Sequence, residues 1–249
     1  MIKNFQILGY SAGMPTQFRG ASSVMVTTQN YNIMIDCGEG TFLRWQKAKY
    51  NWKSLRYIFI THMHFDHIGG LLPLLFYRKI YNIKSPLTII GPPNLKKYII
   101  YSFNQMGSEF NQTIKIIDIE KELNIKLSND IEVNALEMVH KIPCWGYGIS
   151  DNKNKLVFIT DTRPNKNIIK LAKKADILIH EATYLHQDRN KAFEHFHSTE
   201  LQAMEMADKS QVKRLILTHF SQRIGDDILK TLTWQGQACV IFDKIQELD

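Results

Sequence analysis

Short apolar runs rich in β-branched residues, separated by more polar stretches, recur along this chain, and these runs predict a series of β-strands. In residues 24–28 and 56–61, for example, β-branched and aromatic side chains are concentrated in runs of five or six residues. The predicted strands are 5–9, 24–28, 31–37, 56–61, 87–91, 114–119, 131–140, 155–161, 177–182, 214–220 and 239–243, and predicted helices lie near 166–175, 199–209 and 226–235. This order favours an α/β fold in which two sheets lie between layers of helices.

The helix predicted near residue 199 has a recognisable N-terminus. Thr199 can accept a hydrogen bond from the backbone of the first turn, and Gln202, three residues later, can reach back to the backbone of Thr199. This reciprocal arrangement, the capping box, is a frequent start of an α-helix. The pattern therefore predicts that a helix starts here.

Length and composition are those of one folded domain. The chain has 249 residues, 44% of them apolar, without a low-complexity tract, a proline-rich linker or a repeat of fixed period. We therefore predict a single domain over residues 1–249. No apolar run approaches the ~20 residues of a membrane-spanning helix. The N-terminal residues begin with strand-like alternation instead of the apolar core of a secretory signal, so we expect a cytoplasmic protein with no membrane partner.

The net charge indicates the kind of partner, and the cysteine content indicates whether disulfides or cysteine-based metal sites are expected. The formal charge of +7 favours an anionic partner, although the basic residues are scattered and form no arm or stripe. The three cysteines, Cys37, Cys144 and Cys239, are odd in number and far apart. They suggest neither a disulfide framework nor a cysteine-based zinc site, and we expect buried thiols.

Three histidines and an aspartate lie within six residues at the predicted end of one strand. The strand over 56–61 runs into His62, His64, Asp66 and His67. Alternation in an extended segment directs His62 and His64 the same way, and the turn that follows can bring Asp66 and His67 to a second position nearby. Neutral imidazole and carboxylate groups are ligands of zinc and, with more oxygen ligands, of manganese or iron. The spacing therefore predicts a metal site.

Further ligands must come from elsewhere, because this cluster cannot complete two coordination spheres. His140, Asp161 and His219 each stand at the C-terminal end of a predicted strand. Layered α/β folds place their ligands at such strand ends. These three residues are therefore the candidates that complete the site.

Several motifs occur along the chain in a fixed order. They are LGYSAGMPT at 8–16, followed by Arg19 and by two serines at 22–23, then IDCGEGT at 35–41, THMHFDH at 61–67, TDT at 160–162, HEAT at 180–183, HST at 197–199 and THFS at 218–221. In this order the motifs resemble those of the ribonuclease Z-like branch of the metallo-β-lactamase superfamily. The resemblance covers essentially the whole chain.

The resemblance implies a four-layer αββα metallo-β-lactamase sandwich with two divalent metal ions, zinc first and manganese as the alternative. His62, His64 and His140 would hold one ion, Asp66, His67 and His219 the other, and Asp161 would bridge both. Two metal ions ~3.5–4 Å apart activate a shared water and stabilise both the attacking and the leaving oxygens of a phosphoryl displacement. The activity implied is that of a dinuclear phosphodiesterase.

The same resemblance implies catalytic and supporting roles. Asp66 would also orient the nucleophile, and His197 would stabilise the phosphate or protonate the leaving oxygen; an ordinary surface histidine at a helix start is the alternative for His197. His180 and Glu181 would hold the ligating imidazoles by hydrogen bonds, with a purely structural role as the alternative. Asp36 is either a further supporting residue or a turn cap.

Two departures from the family pattern concern the substrate. The tRNA-processing members usually carry a long basic arm before the bridging aspartate, whereas only 20 residues, 141–160, separate His140 from Asp161 here. Phe65 stands where the processing enzymes usually have glycine. Without the arm, the remote phosphate contacts that position a large RNA are lost.

In lacking the arm, the chain resembles the compact anti-Pycsar phosphodiesterases. This likeness implies a homodimer that hydrolyses 3′,5′-cyclic nucleotides, such as cyclic CMP, UMP, AMP or GMP, to nucleoside 5′-monophosphates. It also implies action against cyclic-nucleotide antiphage signalling, in a bacterium or in a phage-infected host cell.

Three other functions are open. A minimal tRNA 3′-processing endonuclease would take RNA as its substrate, and a scaffold or nucleic-acid-binding protein would keep the fold without catalysis. Lactamase or thiolesterase chemistry occurs on the same fold, because fold does not determine function. The seven predicted ligands are histidines and aspartates without a cysteine. They favour a phosphodiesterase over a protein without catalysis and over lactamase or thiolesterase chemistry.

Overall fold

The strands predicted from the apolar runs, apart from the last, form two large sheets in the computed structural model. The structure describes residues 1–110, 113–120, 123–128, 130–240 and 245–248. Within these residues the strands are β1 (Ile2–Gly9), β2 (Ser11–Ala12), β3 (Ser23–Thr28), β4 (Asn32–Ile35), β5 (Leu55–Phe59), β6 (Leu87–Gly91), β7 (Ile114–Asp118), β8 (Leu123–Ser128), β9 (Ile131–Glu137), β10 (Trp145–Ser150), β11 (Lys155–Ile159), β12 (Ile177–Glu181), β13 (Arg214–Thr218), β14 (Phe220–Ser221), β15 (Thr233–Trp234), β16 (Gln237–Ala238) and β17 (Ile245–Glu247).

Helices connect the strands of both sheets. They are α1 (Thr41–Lys47), α2 (Phe65–Ile68), α3 (Leu71–Ile80), α4 (Leu95–Gln105), α5 (Lys166–Ala172), α6 (Arg189–Glu194), α7 (Glu200–Ser210) and α8 (Asp226–Thr231). The first sheet has the strand order β17-β1-β3-β4-β5-β6-β7, and the second has the order β13-β12-β11-β10-β9-β8. Strands β4 to β7 are parallel, as are β11 to β13, so both sheets combine a parallel and an antiparallel half.

The alternation along the strands of the first sheet separates two apolar cores. Val24 and Val26 belong to the core between the two sheets, which also contains the inward residues of the second sheet. Met25, between them in sequence, belongs to a separate core on the outer face, together with Trp45 of α1 and Leu71 of α3. Helices α5 and α7 cover the outer face of the second sheet. The layers are therefore helix, sheet, sheet and helix, and the predicted αββα sandwich is confirmed.

Helix α7 starts as its sequence predicts. The side chain of Thr199 accepts a hydrogen bond from the Gln202 backbone (3.3 Å), and the Gln202 side chain accepts one from the Thr199 backbone (2.9 Å). The capping box is thus confirmed. The three cysteines are buried thiols, also as expected. Within the residues that the structure describes, no helix combines the length and the apolarity that crossing a bilayer requires.

Several predicted strands end earlier than expected, among them three that are followed within three residues by a predicted metal ligand. Strands β9, β11 and β13 end two or three residues short of the predicted boundaries. Asp161 and His219, which follow β11 and β13, have φ angles of 27° and 55°. Such left-handed backbone cannot continue a strand. The chain instead turns at these residues.

The helix predicted over 226–235 was wrong after Thr231. Strands β15 and β16 form a short hairpin there, whose turn consists of Gln235 (φ 48°) and Gly236 (φ 76°). Two successive residues with positive φ are characteristic of the tight turn that joins antiparallel strands. The strand predicted over 239–243 is not present at Cys239 and Val240, and residues 241–243 lie outside the described residues.

Strand β10 was not predicted, because it contains two glycines and glycine is uncommon within strands. Gly146 and Gly148 serve packing instead. A Cβ on Gly146 would lie 2.7 Å from a methyl carbon of Ile159, and one on Gly148 would lie 3.2 Å from Leu171 of α5. The two glycines therefore allow β11 and α5 to pack closely on this strand. Helices α1, α3 and α4 lie between predicted strands, where helical patterns were expected but given no bounds, and strand β8 was not predicted.

Candidate metal centre

The predicted ligands come from four separate segments that meet where strands end. His62 and His64 follow β5, Asp66 and His67 lie in the short helix α2, His140 follows β9, Asp161 follows β11 and His219 follows β13. Asp161 and His219 both have the positive φ noted above, a conformation that costs energy in residues other than glycine. Backbone strain of this kind concentrates at functional sites, and here it turns two side chains into the same cleft.

One group of ligand atoms surrounds a point beside Asp161. His62 Nε2 lies 2.9 Å from His64 Nδ1, and His140 Nε2 lies 3.2 Å from the same His64 atom. Asp161 Oδ2 is 3.5 Å from His62 Nε2 and 3.8 Å from His140 Nε2. Ligands at ~2.0–2.1 Å from a tetrahedral zinc ion stand roughly 3.3 Å from each other. These four side chains could therefore hold one metal ion.

A second group lies on the other side of the same aspartate. His219 Nε2 is 3.1 Å from His67 Nε2 and 3.2 Å from Asp66 Oδ2. Asp161 Oδ1 is 3.1 Å from His219 Nε2 and 3.3 Å from His67 Nε2. Asp66, His67 and His219 thus form a second possible metal site, with Asp161 within reach.

Asp161 separates the two groups by directing one oxygen to each. Its Oδ2 atom faces the first group and its Oδ1 atom the second. Asp161 Oδ1 is buried and has no hydrogen-bond partner among the described residues. A buried carboxylate oxygen without a donor is costly, and a cation would satisfy it. The donor set and this unpaired oxygen both fit divalent metal ions.

The protonation states of the first group suit metal binding. Burial lowers the pKa of His62 to about 3, and burial also lowers the pKa values of His64 and His140. These imidazoles are therefore neutral near pH 7, as ligands must be. Burial alone would raise the pKa of Asp161, but the nearby histidines, His219 first, hold it well below its usual range. The central carboxylate is ionised.

The second group carries a concentration of negative charge. Burial would lower the pKa of His67, but Asp161, Asp66 and Asp36 outweigh burial and raise it well above its usual value. Burial opposes ionisation of Asp66 too, yet His67 and His219 keep its pKa low. Three carboxylates around one imidazole create a position that favours positive charge. A proton or a divalent cation can supply it.

Asp36 holds His67 from behind. Its Oδ2 atom lies 2.7 Å from His67 Nδ1, and its Oδ1 atom accepts the backbone hydrogen bond of Thr61 at 2.8 Å. Asp36 is fully buried and has a φ of 56°. A hydrogen bond to the outer nitrogen of an imidazole fixes its tautomer and leaves the other nitrogen for a metal. Of the two roles left open for Asp36, the geometry favours support of His67.

Glu181 holds two other histidines. Its Oε1 atom lies 3.0 Å from His197 Nδ1, and its Oε2 atom accepts the hydroxyl hydrogen bond of Thr183 at 2.8 Å. The Thr183 hydroxyl lies in turn 2.9 Å from His219 Nδ1. His180 differs, because its one hydrogen bond among the described residues is to the Glu181 carbonyl oxygen. Glu181 therefore reaches the site, and no contact of His180 with a predicted ligand is seen in the described part of the chain.

His197 borders the cluster without completing either group. Its ring centroid lies 5.4 Å from that of His140 and 5.7 Å from that of His219. Glu181 engages Nδ1, so Nε2 is the atom left for a substrate. Burial would lower the pKa of His197, but Glu181 outweighs burial and raises it to about 9. His197 is therefore protonated near neutral pH and can donate a proton. Together with Asp161 and His219 it also satisfies the spacing of a metal-binding group.

A cavity of about 280 Å³ opens above these residues. His64, Asp66, Asp161, His197 and His219 line it, so substrate can reach both ligand groups. The opening loop contributes Gly13, whose backbone N–H donates to Asp66 Oδ2 at 2.7 Å instead of to the cavity. A larger cavity of about 490 Å³ lies beside α5 on the second sheet. That cavity contains none of the predicted ligands, so size alone does not mark the functional site.

The family of the chain follows from comparison with known proteins. The model of the beta-lactamase superfamily domain matches residues 31–220. The chain belongs to the metallo-β-lactamase superfamily. Within it, the ribonuclease BN of Proteus mirabilis (strain HI4320) is 30% identical over 96% of this chain and 95% of its own length. The ribonuclease Z of Bacillus thuringiensis (strain Al Hakam) is 28% identical over 92% of both chains.

Solved structures agree with this assignment. The short form of human tRNase Z is 30% identical and superposes with a TM-score of 0.81 over 88% of this chain and 93% of its own. The metallo-beta-lactamase fold protein YhfI from Bacillus subtilis is 20% identical and has a TM-score of 0.84 over 99% of both chains. At this identity the likeness shows the fold alone. The predicted resemblance to the ribonuclease Z-like branch is thus confirmed, and the chain is a hydrolase of this superfamily.

The alignment with the Proteus relative also indicates what this member lacks. The alignment has 292 positions. This chain contributes 96% of its 249 residues to it, which is about 239 residues. About 50 residues of that relative therefore have no counterpart here. A shorter chain was expected from the close spacing of His140 and Asp161.

The structure brings all seven predicted ligands together, with His197 and Glu181 beside them. Two further residues of the site, Thr61 and Thr183, were not predicted, and their hydroxyls connect carboxylates to imidazoles. Both lie inside motifs, at 61–67 and 180–183, which was the available signal. No role was predicted for Tyr184 or His195, although both line the metal-site cavity.

Proposed function

We propose that this superfamily member is a metal-dependent phosphodiesterase that uses two divalent ions, zinc first and manganese as the alternative. The observation that carries the proposal is Asp161, whose two oxygens face two separate groups of imidazole and carboxylate ligands. One group has three histidines and the other has two histidines and an aspartate, and both share Asp161. Such nitrogen and oxygen ligands suit zinc. The seven ligands remain predicted ones, and their arrangement supports the proposal.

Bound divalent cations would supply Lewis-acid stabilisation of phosphate oxygens and activation of water. The chain's own residues supply orientation and protons. Asp66 Oδ2 is engaged by Gly13 and His219, so its Oδ1 atom is the one we assign to orient the attacking water. His197, protonated through its contact with Glu181, would donate a proton from Nε2 to the departing oxygen.

The relatives favour RNA as the substrate. Proteins named ribonuclease BN and ribonuclease Z align with nearly the whole chain, and the short human tRNase Z shares its fold at 30% identity. We therefore propose cleavage at the 3′ side of precursor tRNA as the function that the comparisons support better.

A second candidate, hydrolysis of 3′,5′-cyclic nucleotides, is favoured by the length of the chain. His140 and Asp161 are joined through β10 and β11 without an intervening arm, and about 50 residues of the Proteus relative have no counterpart. Phosphate contacts dominate affinity for nucleic acids, so their loss weakens the binding of a large RNA more than the binding of a mononucleotide. A role against antiphage signalling rests on this second candidate.

One assay separates the two candidates. Purified protein loaded with zinc or manganese is incubated with a precursor tRNA and, separately, with cyclic CMP, UMP, AMP and GMP. Cleaved tRNA with intact cyclic nucleotides supports the processing enzyme, and 5′-monophosphates with intact tRNA support the second candidate. His64→Ala and Asp161→Asn should abolish either activity. His186→Ala, an exposed histidine outside the metal-site cavity, should retain it. Metal-loaded protein that cleaves neither would refute both.

We also propose that the chain forms a homodimer. Exposed apolar side chains lie on and beside α1 and α3, where Phe42 stacks on Tyr77 with ring centroids 4.3 Å apart. Leu43, Ile80 and Tyr81 are each more than 60% exposed. Exposed apolar surface of this kind marks association sites. Light scattering after size exclusion should give twice the mass of 29.0 kDa, and Ile80→Lys should reduce it.

A further inference from the structure

A second cavity adjoins the metal-site cavity and shares a wall with it. The side cavity measures about 140 Å³, several times the ~30 Å³ that one water occupies in the liquid. Tyr184, Ser221 and Arg223 line both cavities, as does Thr183. Because they share these residues, a ligand whose phosphate lies beside His197 can extend into the side cavity.

Tyr184 is held firmly in this wall. Its hydroxyl lies 2.6 Å from His195 Nδ1. Its backbone accepts a hydrogen bond from Glu200 (3.3 Å) and donates one to Ser198 (3.4 Å). These contacts tie Tyr184 to the segment that carries His197, and the two ring centroids are 6.1 Å apart. The aromatic ring therefore keeps a fixed position relative to the proposed proton donor.

The side cavity is lined for a planar ring and not for a cation. Leu185, Ile224 and Ile228 give it apolar walls beside Tyr184. Its one acidic lining residue, Asp188, is paired with Lys191 at 2.8 Å. Base stacking on an aromatic side chain is a general mode of nucleotide recognition. Gln187, another lining residue, offers an amide to the polar edge of a base, and Arg223 offers a positive charge.

We propose that the side cavity is a nucleobase subsite, in which the base of the nucleotide bearing the reacting phosphate stacks on Tyr184. His195 is a positioning residue that holds the Tyr184 hydroxyl. The proposal rests on the proposed function in one respect, namely that a nucleotide phosphate binds in the metal-site cavity. It applies to an RNA end and to a cyclic nucleotide alike.

Calorimetric titration of the zinc-loaded protein tests the subsite without turnover. CMP and AMP are compared with ribose 5-phosphate, which has the same phosphate and sugar but no base. Stacking contributes ~1–3 kcal/mol per base, or about 5- to 150-fold in affinity. We expect the nucleotides to bind more tightly by a factor in this range. Equal affinities would overturn the proposal.

Variants locate the base. Tyr184→Ala should remove most of the advantage of CMP and AMP, whereas Tyr184→Phe, which keeps the ring, should retain most of it. Ile228→Trp places a bulky ring in the side cavity. It should lower the affinity for CMP and AMP but not the affinity for ribose 5-phosphate. Leu201→Trp, at an exposed position of α7, is the matched control and should change neither. Unchanged nucleotide affinity in Tyr184→Ala or in Ile228→Trp contradicts the subsite.

The two proposals fail in different ways. If no phosphodiester is hydrolysed but the base still strengthens binding through Tyr184, the subsite stands and the proposed function falls. If phosphodiesters are hydrolysed but CMP, AMP and ribose 5-phosphate bind alike, the function stands and the subsite falls. Thermal unfolding of each variant shows that it is folded before titration.

Discussion

Replacing Glu181 by glutamine tests the buried hydrogen-bond network behind the metal centre. Glu181 is fully buried. Its Oε1 atom accepts from the Thr162 and Ser198 backbones (2.9 and 3.0 Å) and contacts His197 Nδ1, and its Oε2 atom accepts from the Thr183 backbone (3.0 Å) and hydroxyl. Glutamine has nearly the same shape but only one acceptor oxygen. One side of the network must therefore face an NH₂ group.

The least costly orientation keeps the amide oxygen toward the three donors at Oε1. The NH₂ group then faces the Thr183 backbone N–H, which loses its acceptor at a cost of about 1–3 kcal/mol. The three retained hydrogen bonds become neutral and lose about 1 kcal/mol each. Relief from burying the Glu181 charge offsets part of this sum. We expect the free energy of unfolding to fall by about 2–4 kcal/mol.

The loss should depend on pH because the pKa of His197 is raised to about 9 in the folded protein, against ~6.5 in an unfolded chain. A raised pKa stabilises the folded state fully below the unfolded value, and this stabilisation is lost as pH rises through about 9. In Glu181→Gln the anion is gone, and burial leaves His197 neutral near pH 7. The stability difference between the two proteins should therefore shrink between pH 7 and pH 10.

Guanidinium unfolding of metal-free protein at several pH values measures both effects. Glu205→Gln, which alters an exposed carboxylate on α7, serves as the matched control and should change stability little. A loss under about 1 kcal/mol at pH 7 in Glu181→Gln, or a loss that does not change with pH, would refute the account of the network. The alkaline limb of phosphodiesterase activity should also move to lower pH in this variant.

Three further outcomes are expected. Asp36→Asn weakens the support of His67 and should lower affinity for zinc about 10- to 100-fold in competition with a chelator; unchanged affinity would contradict the role given to Asp36. Thr199→Ala removes the capping box of α7 and should cost about 1 kcal/mol in thermal or chemical unfolding, while Thr231→Ala at the end of α8 should cost less. Chelation should lower the melting temperature, and added zinc should restore it in proportion to the logarithm of its concentration; a melting temperature that chelation does not change would count against a metal site.

Local sequence predicted the features that depend on neighbouring residues. The strand at 24–28 follows from a short run of β-branched residues, which pack well on a pleated sheet. The start of α7 follows from Thr199 and Gln202, which are one turn apart. His62, His64, Asp66 and His67 were recognisable because they are adjacent in sequence. The ligands His140, Asp161 and His219 were predicted from their places at strand ends and from the family resemblance.

Features that depend on distant residues were not predicted, or not fully. Strand β10 was not predicted because its glycines disfavour a strand locally, whereas their close packing on Ile159 and Leu171 is a contact between distant residues. Helices α1, α3 and α4 were expected between strands but their bounds were not predicted, because burial against the first sheet, which the local pattern does not encode, stabilises them. The end of α8 was misplaced because a two-residue turn after it returns the chain as a hairpin.

The sequence by itself therefore determined the layered α/β class, the superfamily and the types of side chain available for metal binding. Only the tertiary structure decided that Asp161 directs one oxygen to each group of ligands and that Glu181 contacts His197 directly and His219 through the Thr183 hydroxyl. The wall formed by Tyr184 between two cavities is likewise a tertiary feature. The physical reason is that these contacts join residues from different strands and loops, whose separation along the chain carries no information about their distances in space.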